Sequence, residues 1–208
     1  MTTIAWLLRQ GSQRLASVSP TPRLDAELLL ACAMERSRTY LLAWPEVAPT
    51  FEQVERFHQL TERRLEGEPV AYLTGRREFW SHEFEVGPWV LVPRPETELL
   101  VERALCLIPP DAGWEIADLG TGSGAIALCL GLERPHARLI ATDLCPKALE
   151  VAKSNARRLK VPNVAFVRSD WLCAFAQESF DLIVSNPPYV AADDPHLQGD
   201  IRFEPAVA

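Results

Sequence analysis

At 208 residues, 48% hydrophobic and 24% charged, the chain has room for one domain with a substantial core and a smaller companion. Its net charge of −7 argues against a basic nucleic-acid-binding surface, and no stretch approaches the roughly 18 to 20 apolar residues of a membrane-spanning helix. The first residues lack a basic segment followed by a long apolar one, so a cytoplasmic location with no membrane partner is expected. The five cysteines (Cys32, Cys106, Cys129, Cys145, Cys173) are odd in number and contain no Cys-x-x-Cys pair, and His58, His82, His136 and His196 are scattered. Neither a disulfide framework nor a metal centre is expected, and the thiols read as buried core groups.

In chain order, the first third reads as helices. Thr2 or Thr3 can cap a segment carrying Ile4, Leu7, Leu8 and Leu15. Pro22 opens another, with Leu24, Leu28, Leu29 and Cys32 on one face, and Phe51 to Leu65 places Phe51, Val54, Phe57, Leu60 and Leu65 at helical spacing. Gly67 and Pro69 close this small bundle. Arg63-Arg64, Arg76-Arg77 and Arg157-Arg158 read as solvated helix surface. Phe79, Trp80, Phe84 and Val86 flank Ser81-His82 in the manner of a hairpin, and Gly87-Pro88 and Pro93-Arg94-Pro95 read as linker. The boundaries expected are a helical domain over 1–75, hairpin and linker over 76–94, and a second domain over 95–208.

Pro95 opens a helix carrying Leu99, Leu100, Val101, Ala104, Leu105 and Ile108 and ending at Pro109-Pro110. Short apolar strands are then predicted at Ile116 to Leu119, Arg138 to Thr142, Val164 to Val167 and Asp181 to Ser185, with helices at Ala125 to Glu133 and Lys147 to Leu159. That alternation predicts an α/β fold with a parallel sheet. Residues from Ala191 to Ala208 read as loop.

The chemistry sits at strand ends. The first of these strands runs into Gly120-Thr121-Gly122-Ser123-Gly124, where glycines let the backbone turn sharply and bring N–H groups to a ligand carboxylate or phosphate at a helix N-terminus. Asp118 precedes the loop. Asp143 ends the next strand about 20 residues on, where an acid commonly takes ribose hydroxyls, and Asp170-Trp171 ends the third. Helix capping is the other reading of Asp143 and Asp170. Gly120-x-Gly122-x-x-Ala125 also fits a permissive dinucleotide fingerprint.

The fourth strand stops at Asn186-Pro187-Pro188-Tyr189. Proline has no N–H, so backbone carbonyls here are not all consumed by a ladder. Beside them Asn186 adds a side-chain carbonyl and Tyr189 a flat ring, a set suited to a planar group bearing an NH2. Pro-Pro-Tyr is equally compatible with a simple strand stop or a polyproline segment.

The pair GTGSGAIAL and NPPY resembles class I S-adenosyl-L-methionine-dependent methyltransferases acting on planar NH2 nitrogens. The wider set AYLTGRREFW, LVPRPETELLVE, SDW, FDLIVSNPPYV and DPHLQGDIRFEP resembles the bacterial release factor glutamine methyltransferases. Ribosomal-protein glutamine methyltransferases resemble it too, but typically carry Pro-Arg-Ser-Pro-Ile where this chain has Pro93-Arg94-Pro95-Glu96-Thr97.

The resemblance implies a Rossmann-like class I methyltransferase sheet, incomplete at the C-terminus because the family's seven strands are represented by four, with a small N-terminal helical domain that docks the substrate. It implies S-adenosyl-L-methionine as cofactor. Gly120, Thr121, Gly122, Ser123 and Gly124 would surround its methionine part, Asp143 its ribose, Asp170 and Trp171 its adenine, and Asn186 also borders it. Asn186, Pro187, Pro188 and Tyr189 would hold the substrate glutamine, with Asn186, Pro187 and Tyr189 as the catalytic set. The implied partners are peptide chain release factors, modified on the glutamine of a Gly-Gly-Gln motif by a monomeric enzyme with no direct nucleic-acid contact. Methylation of a ribosomal protein, methylation of an exocyclic amine in nucleic acid, and a non-catalytic binding role for a truncated chain are the alternatives.

Overall fold

The computed structural model describes residues 2–187 and 203–205, which form two compact units, one of residues up to Thr74 with Phe203 and one from Gly75 onward with Glu204 and Pro205. Pro188, Tyr189 and most of the predicted C-terminal loop lie outside the described residues.

The first unit is a bundle of α1 (Ile4–Leu15), α2 (Pro22–Met34), α3 (Arg38–Ala43), α4 (Phe51–Leu65) and α5 (Val70–Thr74). Side-chain oxygens set the starts of three of them: Thr3 accepts from Trp6 N, Ser37 from Tyr40 N, and Thr50 forms a reciprocal box with Gln53. Ile4, Leu7, Leu8, Leu29, Leu30, Leu41 and Phe57 are almost fully buried together. Gly11 lets α1 and α4 approach, because a Cβ there would lie 2.7 Å from the Phe57 ring.

Several expectations for this unit are corrected. Short α3 and α5 were not predicted, and α5 continues the bundle beyond Pro69. In α2 the face turned inward is Asp25, Ala26, Leu29, Leu30 and Ala33, while Leu24 is exposed; Phe51 is 79% exposed at the mouth of α4. Arg64 is not solvated surface. It is 4% exposed and donates through Nε to Asp25 Oδ2 at 2.9 Å, a buried ion pair spanning α4 and α2.

The second unit holds a two-stranded hairpin and a four-stranded sheet. The hairpin is β1 (Arg76–Phe79) and β2 (His82–Glu85), antiparallel, with Phe79 and Phe84 fully buried and edge-to-face at 6.1 Å. The segment read as hairpin and linker is thus packed into this unit, and Val90 and Val92 are buried as well. A 3₁₀ turn at Pro95–Thr97 leads into α6 (Glu98–Leu107). Then follow β3 (Glu115–Leu119), α7 (Ala125–Glu133), β4 (Arg138–Asp143), α8 (Pro146–Leu159), β5 (Val164–Arg168) and β6 (Leu182–Ser185).

The sheet order is β5-β4-β3-β6, all parallel, with Asp118 opposite Ala141 on one side and Val184 on the other. α7 is apolar on every face, and Ala125 to Gly131 are buried without a break, as a helix enclosed by the core must be. Polar side chains close helix ends. Asn163 Nδ2 lies 3.0 to 3.1 Å from the carbonyls of Gly131, Arg134 and Ala137, in the last turn of α7 and just past it, and Arg134 donates to those of Leu105 and Ile108 at the end of α6. The cysteine expectation is also corrected: Cys129 is buried and its thiol is pushed up by burial, but Cys106 and Cys173 are exposed.

Candidate active site

The chain leaves β3 between β4 on one side and β6 on the other, so strand order reverses direction at β3. A crevice outside the carboxyl ends of the strands at such a switch point is where open α/β sheets take ligands. A cavity of about 360 Å³ lies there. The 89–97 segment, the loop after β3, the end of β4, the turn after β5, Asn186, Pro187 and Pro205 line it.

The loop after β3 is held from below by Asp118. This carboxyl is fully buried; Oδ2 accepts from Thr121 Oγ1 at 2.6 Å and from Ala127 N at 3.2 Å, while Oδ1 has no hydrogen-bond partner among the described residues. Burial, which the two hydrogen bonds only partly offset, raises its pKa to about 6, and the charge of Asp143 adds to the rise.

The loop also spends its amides internally. Thr121 N donates to Thr142 O at 2.8 Å, Gly122 N to Asp143 Oδ2 at 2.9 Å, and Gly124 N to Thr121 O at 2.8 Å. Three of the five N–H groups are therefore unavailable to a pyrophosphate, which weighs against the dinucleotide reading. Gly124 is the N-cap of α7 with φ +83°, and a Cβ there would lie 3.2 Å from Ala152 Cβ. It does not line the cavity. Gly120 and Gly122 do, and a Cβ on Gly120 would enter open space.

Asp143 is not a side-chain cap for α8 in the usual position; the N-cap residue is Cys145. Asp143 instead accepts Cys145 N at Oδ1 and Gly122 N at Oδ2, both at 2.9 Å, so that it pins the loop to the start of α8 while facing the cavity. Each oxygen retains a lone pair for a ligand hydroxyl.

Asp170 and Trp171 lie in the turn after β5 rather than on the strand, with Trp171 at φ +48° and 54% exposed. Buried Ser169 holds that turn by donating to Trp171 O and accepting from Ala174 N. On the other side of the crevice Ser185 Oγ donates to Leu119 O at 2.8 Å, and Asn186 Nδ2 donates to Thr97 Oγ1 at 3.2 Å.

The cavity thus brings together Gly120, Thr121, Gly122, Ser123, Asp143, Asp170, Trp171, Asn186 and Pro187. Pro188 and Tyr189 lie outside the described residues.

Sequence reasoning passed over other residues of the site. Trp89 to Leu91, read as linker, form one wall, and the Trp89 ring carries Lys147 Nζ at 3.5 Å from its centroid. Buried Asn155 on α8 donates to Ser123 O at 2.9 Å and to Glu85 O at 3.0 Å, and accepts from Glu85 N at 2.7 Å. It joins the hairpin to the glycine loop. The signal available for it was an asparagine at an inward helical position, where an amide needs several partners.

These features suit S-adenosyl-L-methionine: space over Gly120 that a Cβ would fill, an acid at the end of β4, and a turn bearing an aromatic after β5. A parallel sheet with this loop at its switch point defines a class I methyltransferase domain, and residues 96–201 match the family described as "Methyltransferase small domain". Residues 7–75 match the "PrmC N-terminal domain". The chain is 50% identical over 204 residues to the release factor glutamine methyltransferase of Escherichia coli, covering 98% of this chain and 73% of that protein. The release factor glutamine methyltransferase of Coxiella burnetii is 46% identical, with 100% and 75% covered. That of Pseudomonas aeruginosa is 48% identical, with 100% and 74% covered. The chain belongs to the release factor glutamine methyltransferase family.

Proposed function

We propose that this chain methylates the side-chain amide nitrogen of the glutamine in the Gly-Gly-Gln motif of peptide chain release factors, using S-adenosyl-L-methionine. One observation carries the reading: Asn186 and Pro187 stand on the wall of the same cavity as the glycine loop and Asp143. Acceptors for an NH2 group and a cofactor cradle therefore share one space. Relatives named for this activity, matched over nearly the whole chain, support the choice of glutamine.

When bound, the cofactor supplies a methyl group made electrophilic by its sulfonium. Gly120, Thr121, Gly122 and Ser123 would border its methionine part, Asp143 its ribose hydroxyls, and Asp170 and Trp171 its adenine. An amide nitrogen is a poor nucleophile because its lone pair is delocalised into the carbonyl. Asn186 Oδ1 and the Pro187 carbonyl accept its two N–H hydrogens and keep the nitrogen's free face toward the cavity. As positive charge develops on nitrogen both hydrogen bonds strengthen, which is stabilisation specific to the transition state. No base is needed beforehand, since the alkylated nitrogen is acidic and releases its proton to solvent. Holding the amide in line supplies much of the rest; well-aligned reactants gain on the order of 7 to 11 kcal/mol. Pro188 and Tyr189 complete the substrate side in this reading.

The N-terminal helical unit docks the release factor, and the enzyme acts as a cytoplasmic monomer without direct nucleic-acid contact. Among the described residues no helix is long and apolar enough to cross a membrane. Transfer of labelled methyl to purified release factor tests the proposal, with a release factor lacking the glutamine and a DNA oligonucleotide as controls. Asn186→Ala is expected to lower turnover about 100- to 1,000-fold, the range for loss of one transition-state hydrogen bond, with cofactor affinity changed by only a few fold. Label on the oligonucleotide, or on the release factor without its glutamine, would overturn it.

A further inference from the structure

We infer that the Arg94–Glu204 ion pair fastens the cavity wall at its Asn186 end, which makes Arg94 a positioning residue for the substrate amide; the inference rests on the glutamine-amide reading above. Arg94 Nη2 donates to Glu204 Oε1 at 2.7 Å across 110 residues of sequence. Chemistry fixes the direction of this bond, since a guanidinium has donors and no acceptor. The Glu204 side chain is 2% exposed and that of Arg94 37%, so the carboxylate lies within the protein and the cation reaches it from the surface.

Both partners adjoin residues of the cavity. Pro93 precedes Arg94 and Pro205 follows Glu204, and both prolines line the cavity together with Thr97 and Asn186. The first stretch has supports of its own: Pro93 O accepts from Arg77 Nε at 3.2 Å, Thr97 N donates to Arg94 O at 3.0 Å in the 3₁₀ turn, and Thr97 Oγ1 lies 3.2 Å from Asn186 Nδ2. Arg94 therefore stands on a fixed segment that meets Asn186, and the ion pair ties Glu204, with Pro205 beside it, to that segment. Removing the two partners has unequal consequences. Without the cation, a carboxylate at this depth loses a charge-assisted bond and is driven toward water, carrying Pro205 off the wall. Without the carboxylate charge, Arg94 is near enough to the surface to be hydrated, and a neutral amide at position 204 has no such drive.

Arg94→Gln, Glu204→Gln and the double variant, each in the full chain, test this role. Arg94→Gln is expected to lower kcat/KM for release factor about 10- to 100-fold, chiefly through KM, which is below the range for a fully buried pair because Arg94 is partly hydrated. Glu204→Gln should stay within about fivefold of wild type, and adding it to Arg94→Gln should restore kcat/KM to within about fivefold as well. Calorimetry should give S-adenosylhomocysteine affinity within about twofold of wild type in all three, since the change is confined to the other end of the cavity. Hydrogen exchange followed by mass spectrometry should show the amides of Phe203 and Glu204 exchanging faster in Arg94→Gln and near the wild-type rate in the other two. If Arg94 met the substrate directly, Glu204→Gln could not repair its loss, so a double variant as impaired as Arg94→Gln overturns the inference. Unchanged turnover in Arg94→Gln, a loss of cofactor affinity in step with the loss of turnover, or exchange at Phe203 and Glu204 alike in all the proteins would each overturn it too. If the wild-type chain transfers no methyl group to release factor, yet Phe203 and Glu204 exchange faster only in Arg94→Gln, the proposed substrate is refuted and the fastening of the wall stands.

Discussion

Replacing Asp118 by asparagine isolates the energetic cost of a buried carboxylate beneath the glycine loop. Its pKa is 3.8 in an unfolded chain and about 6 in the folded one, raised chiefly by burial. Between those values the folded protein holds a proton that the unfolded chain has released, so protonation favours the fold. This contribution is complete below about pH 3.8 and is lost as pH rises through 6. The difference, about 2.2 pH units at about 1.36 kcal/mol each, amounts to roughly 3 kcal/mol. Asparagine has nothing to titrate, and its Oδ1 can still accept from Thr121 Oγ1 and Ala127 N. Chemical denaturation of both proteins at intervals from pH 4 to pH 7.5 is the assay. The stability of Asp118→Asn relative to wild type should rise by about 2 to 3 kcal/mol across that range. In thermal melts this is about 4 to 12 °C for a chain of this size. Parallel curves for the two proteins would refute the reasoning, because they would mean Asp118 binds protons equally in both states.

Two further perturbations separate stability from ligand binding. Gly124→Ala should cost about 2 to 5 kcal/mol in thermal melts, the sum of a left-handed conformation and an overpacked contact, since its Cβ would crowd Leu128 and Ala152 at 3.1 and 3.2 Å. Gly120→Ala has no neighbour within 4 Å, so its melting point should fall less while calorimetry shows the greater loss of cofactor affinity. In the N-terminal unit, Arg64→Leu leaves Asp25 buried without its ion-pair partner and should destabilise by about 3 to 5 kcal/mol in denaturant titration. The double variant with Asp25→Asn should recover a good part of that loss.

The sequence was most legible where one element's own composition decided its state. The strands of the parallel sheet read as short, largely apolar runs, and β3 to β6 begin and end within one residue of the predicted spans. α7, bounded by a glycine and a charged stretch, coincides with its prediction. Prolines and threonines marked helix starts at Thr3, Pro22 and Pro95 because capping is a matter of a few adjacent groups. The glycine loop and Asn186-Pro187 were readable for a similar reason: glycine and proline restrict the backbone whatever surrounds them.

What periodicity could not supply was which side of an element turns inward. Phe51 and Leu24 stand exposed while the charged Asp25 and Arg64 are buried, because the pair satisfies itself across α2 and α4. Trp89 to Leu91 looked like linker because nothing in their spacing shows that the end of the sheet lies against them. Asn155 is a single polar residue whose role exists only in partners 32 and 70 positions away. By itself, then, the sequence determined the local conformations and the chemical types gathered at the strand ends. The tertiary structure decided burial, which amides of the loop are already spent, and which strand ends share the cavity. Those depend on distances between atoms far apart along the chain, and only the packed fold sets them.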